Sequence, residues 1–244
     1  MVQPRRRCCF GVVMSDANWQ PVIETPPRIR VAPELREVVA EKAVQLDDVD
    51  AAFRIEREVF EECGYGQMPV ELDVQSTFYI ARLASTGEIL GVLRMILGTP
   101  VPLPFLKLPL RDSWRDVYAA IPGDRLIEYG ALAVPQANQE EFGLSVSKAL
   151  YRAGWEYSIE VDAGYSGMVM EPRRARVLAR WHGLVFEQVG DTTFYMGGDV
   201  AAFVATPVGL LSDLKRLNPD FAEYVTTRYD PILDVIDLRD SQDA

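Results

Sequence analysis

The segment from Arg125 to Val134 limits the fold most strongly, because it is an almost unbroken apolar run of strand length. Runs of this kind are typical of strands that are buried on both faces of a sheet. A helix is predicted from about Gly143 to Glu160, and a strand follows at Tyr165–Met170. A strand, a helix and a second strand in this order favour parallel pairing of the two strands. Arg125–Val134 is therefore predicted to be the central strand of a sheet.

The segments that precede the central strand predict an antiparallel half of this sheet. Apolar residues at helical spacing run from Asp47 to Glu62, and Gly64 is expected to end that helix. Thr77–Leu83 and Glu88–Leu97 are predicted strands on either side of a short turn, which is typical of a hairpin. A long proline-rich connection, with a short helix at about 114–118, then leads to the central strand.

Helices and strands continue to alternate after the central unit. A helix is predicted at Pro172–His182, with strands at Leu184–Val189 and Thr192–Met196 and two C-terminal helices between residue 206 and about 228. The expected fold class is a mixed α/β sheet in a single main domain. This domain is expected to span residues 36–229, between a flexible segment at 1–35 and an acidic tail at 230–244.

Charge and cysteine content exclude several classes of protein. The net charge of −11 comes from 36 acidic and 25 basic residues, which argues against non-specific binding to nucleic acid or anionic lipid. The cysteines are Cys8, Cys9 and Cys63, an odd number with two adjacent, so no disulfide framework is predicted and a reducing, cytoplasmic location is expected. No apolar run in the sequence approaches the roughly 20 residues that a membrane span needs.

Several common types of site are absent from the sequence. It contains no Gly-Lys-Ser phosphate loop, no Gly-x-Gly-x-x-Gly and no Gly-x-Ser-x-Gly. His182 is the only histidine, which argues against a multi-histidine metal site, and no metal is expected. Its place at a predicted helix C-terminus, where the helix dipole favours positive charge, explains this histidine more simply than a Ser-His-Asp triad does.

Glu128 is the most informative single residue of the sequence. Strand alternation places it on one face with Leu126, Gly130, Leu132 and Val134. A carboxylate on an apolar face is costly to bury unless it is paired or functional, and partial burial raises its pKa towards neutrality. Glu128 is therefore a candidate general base. The alternative is a structural ion pair with an arginine such as Arg94.

Arg94 lies in the predicted strand Glu88–Leu97, and two carboxylates, Glu71 and Asp73, lie just before the preceding strand. A guanidinium that binds a carboxylate through two hydrogen bonds would hold that loop against the sheet. Such a contact is expected equally for a purely structural salt bridge and for the frame of a substrate site.

The residues Phe142, Gly143, Leu144 and Ser145 are placed where a helix is expected to begin after the central strand. Unpaired backbone N–H groups at a helix N-terminus bind anions, and the phosphate-bearing arm of a thioester donor would fit such a place. Many helices begin with glycine or serine without binding any ligand, so the structural explanation stays open.

Arg173, Arg176 and Arg180 recur at i, i+3 and i+7 and therefore share one face of a predicted helix. In a chain of net charge −11, a cationic face is a candidate docking site for an acidic carrier protein or for phosphates. A solvated helix face explains the same spacing.

The order of elements and a set of local strings resemble the acyl-homoserine lactone synthases and the related N-acyl amino acid synthases of the GNAT superfamily. The resemblance covers roughly residues 45–190. The strings that carry it are Arg57–Phe60, Cys63–Tyr65, Glu71–Asp73, Thr77–Arg82, Gly91–Arg94, Thr99–Pro102, Leu126–Val134 and Arg174–Phe186. Tyr65 stands where the family usually has tryptophan, Ala131 stands where it has an arginine, and Arg57 is displaced by one position. These departures favour the N-acyl amino acid synthase branch over a homoserine lactone product.

The resemblance implies a GNAT-like mixed, mainly antiparallel central sheet flanked by helices, and N-acyltransferase activity. The donor would be a fatty acyl thioester of acyl carrier protein or coenzyme A, and the acceptor an amino acid or a similar small amine. A small-amine acetyltransferase that uses acetyl-coenzyme A and a non-catalytic acyl-thioester-binding protein are the alternatives.

The resemblance also implies roles for individual residues. Glu128 falls at the catalytic glutamate, and the implied substrate-binding residues are Arg94, Asp73, Glu71, Phe78 and Tyr65. The backbone near Leu132, Ala133 and Val134 would polarise the thioester carbonyl. Phe105 and Leu106 are expected to line an apolar tunnel for the acyl chain.

Overall fold

The computed structural model describes residues 38–227, so the predicted N-terminal segment, Cys8, Cys9 and the acidic tail lie outside the described residues. The strands are β1 Val38–Lys42, β2 Ser76–Leu83, β3 Ile89–Leu97, β4 Leu126–Ala133, β5 Tyr165–Met170, β6 Glu187–Gln188, β7 Thr193–Tyr195 and β8 Gly198–Ala205. The α-helices are α1 Leu46–Cys63, α2 Asp112–Ala119, α3 Gln136–Phe142, α4 Ser145–Glu160, α5 Pro172–His182, α6 Pro207–Leu217 and α7 Pro219–Thr226.

The eight strands form one sheet in the order β1-β2-β3-β4-β5-β8-β6, and β7 pairs with β8 beside this path. Every strand pair is antiparallel except β4–β5, which is parallel. The prediction of a mixed, mainly antiparallel sheet with β4 at its centre is therefore confirmed.

The parallel contact between β4 and β5 is short. It consists of three residue pairs, Leu126–Tyr165, Ile127–Ser166 and Glu128–Gly167. Both strands continue beyond the last pair, β4 to Ala133 and β5 to Met170, without pairing to each other. A gap therefore opens between the two central strands, and it begins at Glu128.

A β-bulge in β4 changes which residues share the face of Glu128. Met95 pairs with Tyr129 and Arg94 pairs with Ala131, so Gly130 is the extra residue. An added residue shifts the alternation of side chains by one position. Leu132 and Val134 therefore lie on the opposite face, among the residues that pack with α4, and the prediction that they share the face of Glu128 was wrong. Any larger residue at position 130 would collide with Ile96.

Helices cover both faces of the sheet. On one face, α1 packs through Ala52, Ile55 and Val59 against β2, β3 and β4. On the other face, α4, α6 and α7 bury the main core, which includes Leu93, Met95 and Tyr129 of the sheet. The proline-rich connection contributes a third apolar cluster, on the α1 side of the sheet, with Leu103, Phe105 and Leu108 packed against Ile96 and Leu126.

Several predicted boundaries differ from the observed ones. The structure adds β1, α3 and β8, which the sequence reasoning did not identify, and β6 covers only two residues of the predicted strand Leu184–Val189. Gly143 does not begin α4. It separates α3 from α4 with φ 56° and ψ −123°, a conformation that favours glycine, and Ser145 is the first residue of α4. The two predicted C-terminal helices are present as α6 and α7, and α7 begins at Pro219.

Candidate active site

Glu128 is buried at the point where β4 and β5 separate. The residue is 1% exposed, and the backbone N–H of Phe105 donates a hydrogen bond to its Oε2 at 3.0 Å. Burial raises the pKa of Glu128 to about 8, against the opposing effects of this hydrogen bond and of the charges of Lys107 and Arg94. The carboxyl group therefore gains and loses its proton near neutral pH, as a general base requires.

Phe105 is held over Glu128 by the packing of the proline-rich connection. It belongs to a 3₁₀ turn, Pro104–Lys107, and its side chain is fully buried. The ring lies against Gly167 of β5, where any larger residue would collide with it. Its other neighbour is the Tyr118 ring of α2, with centroids 5.2 Å apart in an edge-to-face arrangement. Phe105 thus orients the glutamate, and it does not line an open tunnel.

Arg94 is fully engaged by other residues and forms no ion pair with Glu128. Its Nη2 donates to Asp73 Oδ1 at 2.6 Å, its Nη1 to Glu56 Oε1 at 3.3 Å and its Nε to Ser76 Oγ at 2.8 Å. The rings of Phe53 and Phe78 lie 5.8 Å and 5.3 Å from the guanidinium carbon. The alternative that Glu128 is the partner of Arg94 was therefore wrong, and the expected contact with the loop carboxylate Asp73 is observed.

Glu56 is a site residue that the sequence reasoning missed. It is 4% exposed, and its Oε2 has no hydrogen-bond partner among the described residues. Burial raises the pKa of Glu56, while Arg94 acts in the opposite direction. The signal in the sequence was a carboxylate next to Ile55 on the apolar side of α1.

Tyr65 lies at a different side of the gap from Arg94. Its hydroxyl donates to Glu171 Oε1 at 2.8 Å, just after the end of β5, and the guanidinium of Arg174 lies 5.3 Å above its ring. The turn between β7 and β8 packs against the same segment, because Gly66 N–H donates to the Met196 carbonyl at 2.9 Å. Of the predicted substrate-binding residues, the structure joins Arg94, Asp73 and Phe78 in one cluster and places Tyr65 in another.

Tyr195 of β7 is a second residue that the sequence reasoning missed. It packs against the apolar cluster that contains Leu72 and Phe105. Burial raises the pKa of the Tyr195 hydroxyl, and the charges of Glu128 and Glu71 add to this effect. The Tyr195 hydroxyl is therefore close enough to Glu128 for the two groups to interact electrostatically. Glu71 itself is exposed to solvent.

The residues predicted to bind the donor lie along the gap and at the start of α4. Leu132 and Ala133 belong to the part of β4 that no longer pairs with β5, and Val134 follows directly. Phe142, Gly143 and Leu144 lead into α4, whose first turn has no side-chain cap. Backbone N–H groups of an uncapped first turn are available to an anion.

A small apolar cavity lies on the opposite face of the sheet from Glu128. It has a volume of about 20 Å³. The cavity is lined by residues of β4, α4, α6, α7 and the segment after α5: Tyr129, Tyr151, Trp155, Leu184, Phe186, Leu210, Leu214 and Val225. The predicted tunnel residues Phe105 and Leu106 are not among them. Tyr129, which lines the cavity, directly follows Glu128 in β4.

The predicted cationic face of α5 is present on the surface. Arg173, Arg176 and Arg180 are all exposed. Within the described part of the chain, neither Arg176 nor Arg180 forms an ion pair.

His182 lies at the C-terminus of α5 as predicted, but it is fully buried between Tyr151 and Phe221. Burial lowers the pKa of His182 to about 4, with a smaller contribution from Lys148, so the ring is neutral near pH 7 and a favourable charge–dipole interaction does not explain its position.

Residues 38–227 contain no group of three or more His, Cys, Asp or Glu side chains arranged to hold a metal ion. None of the helices in the same range is long and apolar enough to cross a membrane.

Comparison with solved structures identifies the fold. The structure of FeeM, an N-acyl amino acid synthase from uncultured soil microbes, aligns with a TM-score of 0.56 over 72% of this chain and 94% of FeeM, at 20% sequence identity. The apo form of TofI aligns with a TM-score of 0.54 over 75% of this chain and 98% of TofI, at 19% identity. The acyl-homoserine lactone synthase LasI aligns with a TM-score of 0.53 over 74% of this chain and 95% of LasI, at 14% identity.

No protein-family model and no curated protein sequence matches the chain. At sequence identities of 14–20%, structural similarity to these three proteins establishes the fold of this chain. The chain therefore has the GNAT-like fold that the resemblance of its sequence implied.

Proposed function

We propose that this protein is an N-acyltransferase that moves a fatty acyl group from an acyl carrier protein or coenzyme A thioester to the amine of an amino acid or a similar small molecule. The observation that carries the proposal is Glu128, a buried carboxyl group whose pKa burial raises to about 8. It lies at the residue where the β4–β5 pairing ends. A base of this pKa beside an opening in the sheet suits the deprotonation of an amine near neutral pH.

The reaction follows from the positions of these groups. An acceptor ammonium gives one proton to Glu128, directly or through one water, and the neutral amine attacks the thioester carbonyl. The C–N bond forms and the C–S bond breaks. The leaving thiolate takes the second proton, which the nitrogen loses on becoming an amide, and Glu128 returns its proton to solvent. Backbone N–H groups of β4 near Leu132–Val134, which have no strand partner on the β5 side, would stabilise the negative charge that develops on the carbonyl oxygen.

The donor would enter the gap from the side of α4. The uncapped first turn of α4, with Phe142–Leu144 before it, supports binding of the phosphate-bearing arm. The apolar cavity on the far side of β4 is the best-supported place for the end of the acyl chain, because Tyr151, Leu210, Leu214 and Val225 offer it only apolar and aromatic surface. A volume of about 20 Å³ requires these side chains to move when a long chain binds.

The test is turnover with a defined donor and a panel of amines. The full chain is incubated with acyl carrier protein thioesters and coenzyme A thioesters of two to sixteen carbons, and mass spectrometry follows the acyl amide and the free thiol together. Formation of both products supports the proposal. A chain that accepts only the two-carbon donor is an acetyltransferase, and a chain that binds the thioesters without turnover with any amine is a non-catalytic binding protein.

The rate of acyl transfer is expected to rise with pH and to level off above about 8. Glu128 must be deprotonated to accept the proton, and below its pKa of about 8 most molecules hold the carboxyl in its neutral form. The measurement is kcat from pH 6 to pH 9.5 at saturating substrates. The acceptor amine also changes its charge in this pH range, so Glu128→Gln is the reference, because it lacks only the carboxyl group. Its residual kcat should not show the rise with pH that levels off near pH 8. A wild-type profile without this rise would contradict the assignment.

Reversing the charge on the exposed face of α5 is expected to weaken use of an acyl carrier protein donor. Arg176→Glu with Arg180→Glu should raise KM for acyl carrier protein by about 10-fold at low salt, because charges at the rim of an interface mainly steer association. KM for the coenzyme A thioester of the same acyl group should change little. Arg115→Glu with Arg216→Glu is the matched control, since these arginines are exposed on α2 and α6. Equal effects on both donors would indicate phosphate binding instead.

A further inference from the structure

An acceptor with a carboxylate needs a cationic group near the gap, and Arg94 cannot supply it. Its guanidinium is 1% exposed and already donates to Asp73, Glu56 and Ser76. The two N–H groups that remain on this guanidinium are buried with it, so an acceptor from solvent would have to open the cluster, and opening it would leave a buried carboxylate without its partner.

Arg174 of α5, unlike Arg94, is partly exposed and has available N–H groups. Its side chain is 31% exposed, and none of its guanidinium N–H groups donates a hydrogen bond to a described residue. Its only ion-pair contact in this part of the chain is Glu171, with 4.0 Å between Arg174 Nε and Glu171 Oε2, which is beyond hydrogen-bond distance. A guanidinium that keeps its N–H groups available is suited to bind a carboxylate through two parallel hydrogen bonds.

The position of Arg174 is restricted by the Tyr65 ring. Its guanidinium lies 5.3 Å over the Tyr65 ring, and the Tyr65 hydroxyl is held by Glu171 Oε1 at 2.8 Å. Tyr65 is further confined by Gly198 of β8, where an added Cβ would lie 3.1 Å from the ring. A cation over the face of a ring is attracted to it, so this contact limits where the guanidinium can lie.

The position of Arg174 relative to Glu128 follows from the pairing of β4 with β5. Gly167 is level with Glu128, and Glu171 follows four residues later, so an extended strand carries it about 13 Å further along the gap. The positive charge of Arg174 partly offsets the burial that raises the pKa of the Tyr151 hydroxyl, and Tyr151 lines the apolar cavity. Arg174 therefore lies in the cluster around Tyr65, just after the end of β5.

We infer that Arg174 binds the carboxylate of an α-amino acid acceptor, with Tyr65 and Glu171 as the positioning residues that hold its guanidinium. An α-amino acid bound in this way has its amine in the gap, one carbon away from the carboxylate, and the distance of about 13 Å between the levels of Glu171 and Glu128 means that the proton reaches Glu128 through water. This inference rests on the proposed function and narrows its acceptor class from small amines to amino acids.

The experiment compares each common L-amino acid with its primary amide as acceptor, using the full chain and one fixed acyl thioester. For Arg174→Gln, KM for the amino acid is expected to rise about 10- to 100-fold, the range for lost hydrogen bonds to a charged group. KM for the amide and KM for the thioester should stay within twofold. Arg174→Lys should recover only part of the loss, because an ammonium keeps the charge without the planar pair of donors. Arg216→Gln removes an exposed arginine from α6 and is the control.

The outcomes separate the inference from the proposed function. If the wild type acylates amides as well as amino acids, or if Arg174→Gln affects both equally, the inference is overturned and the acyltransferase stands. If Arg174→Gln raises KM for the thioester instead, Arg174 binds the donor and the inference is also overturned. If the wild type acylates no amine from any donor, the proposed function itself fails.

Discussion

Glu128→Gln is expected to lower kcat by about 10²- to 10⁴-fold, the usual contribution of a general base. The amide keeps the shape of the carboxyl group and can still accept the hydrogen bond from the Phe105 N–H. Since it cannot take a proton from the acceptor, the loss in kcat should be largest above pH 8, where the wild-type carboxyl is ionised, and should become smaller towards pH 6. The exposed Glu88→Gln is the control. Near-normal turnover of the Glu128 variant would exclude a base at this position.

The same variant should be at least as stable as the wild type. The pKa of Glu128 rises from 4.5 to about 8 on folding because of burial, so the native state binds its proton more tightly than the unfolded state does. This contribution to stability is fully present below pH 4.5 and is lost as the pH rises through 8. At about 1.4 kcal/mol per pKa unit, the wild type loses a few kcal/mol over this window, and the always neutral glutamine does not.

Glu128→Gln should therefore melt near the wild type at pH 5 and above it at pH 9. A catalytic loss that merely follows a loss of folded protein would contradict the base assignment, because it would show that Glu128 stabilises the fold in its charged form. Thermal melts at the two pH values, followed by circular dichroism, distinguish the two cases.

Arg94→Gln is expected to reduce the free energy of unfolding by about 3–5 kcal/mol, the usual result of removing one partner of a buried ion pair. The variant leaves Glu56 buried without its cation and releases Asp73 from the sheet. Denaturant unfolding monitored by fluorescence measures the loss.

The partner of Arg94 can be identified by double variants. Arg94→Gln with Glu56→Gln should cost less than the sum of the two single changes, because neither charge is then buried alone. Arg94→Gln with Glu128→Gln should show a clearly smaller coupling. If the larger coupling belonged to Glu128, the arrangement of these groups in solution would differ from the one described here.

The elements that the sequence predicted well are those with a clear period or clear boundaries. α1 has an apolar stripe and ends at Gly64, which adopts a left-handed conformation with φ 75°. α5 begins with Pro172 and ends at Gly183, which also has φ 75°. In both helices the end residues have conformational preferences of their own, so local information is sufficient.

The elements that were missed lack such signals. α3 is Gln-Ala-Asn-Gln-Glu-Glu-Phe, a polar segment with no buried residue, and it has no apolar stripe from which to predict a helix. β8 is a short run of alanine, valine and phenylalanine buried between β5 and β6, so its two faces do not differ in polarity. Burial on both faces removes the alternation by which strands are recognised.

The candidate site was predictable only where its residues are unusual for their surroundings. Glu128 could be found because a carboxylate interrupts an apolar strand. The partner of Arg94 could not, because the sequence does not reveal which helix covers β3, and Glu56 comes from that helix. The bulge at Gly130 was also hidden, since a glycine in a strand is compatible with regular pairing as well as with an inserted residue.

The three-residue contact between β4 and β5 divides the sheet into two blocks that are also continuous in sequence. β1–β4 come from residues 38–133, and β5–β8 from residues 165–205. Each block completes its own antiparallel hydrogen bonds, so within the sheet a small rotation of one block against the other strains only the three shared pairs, while the packing of the proline-rich connection against both blocks limits the rotation. The three shared pairs can thus act as a hinge. Rotation about this hinge would widen the gap between β4 and β5 for a larger bound thioester, and each block would keep its own pairing.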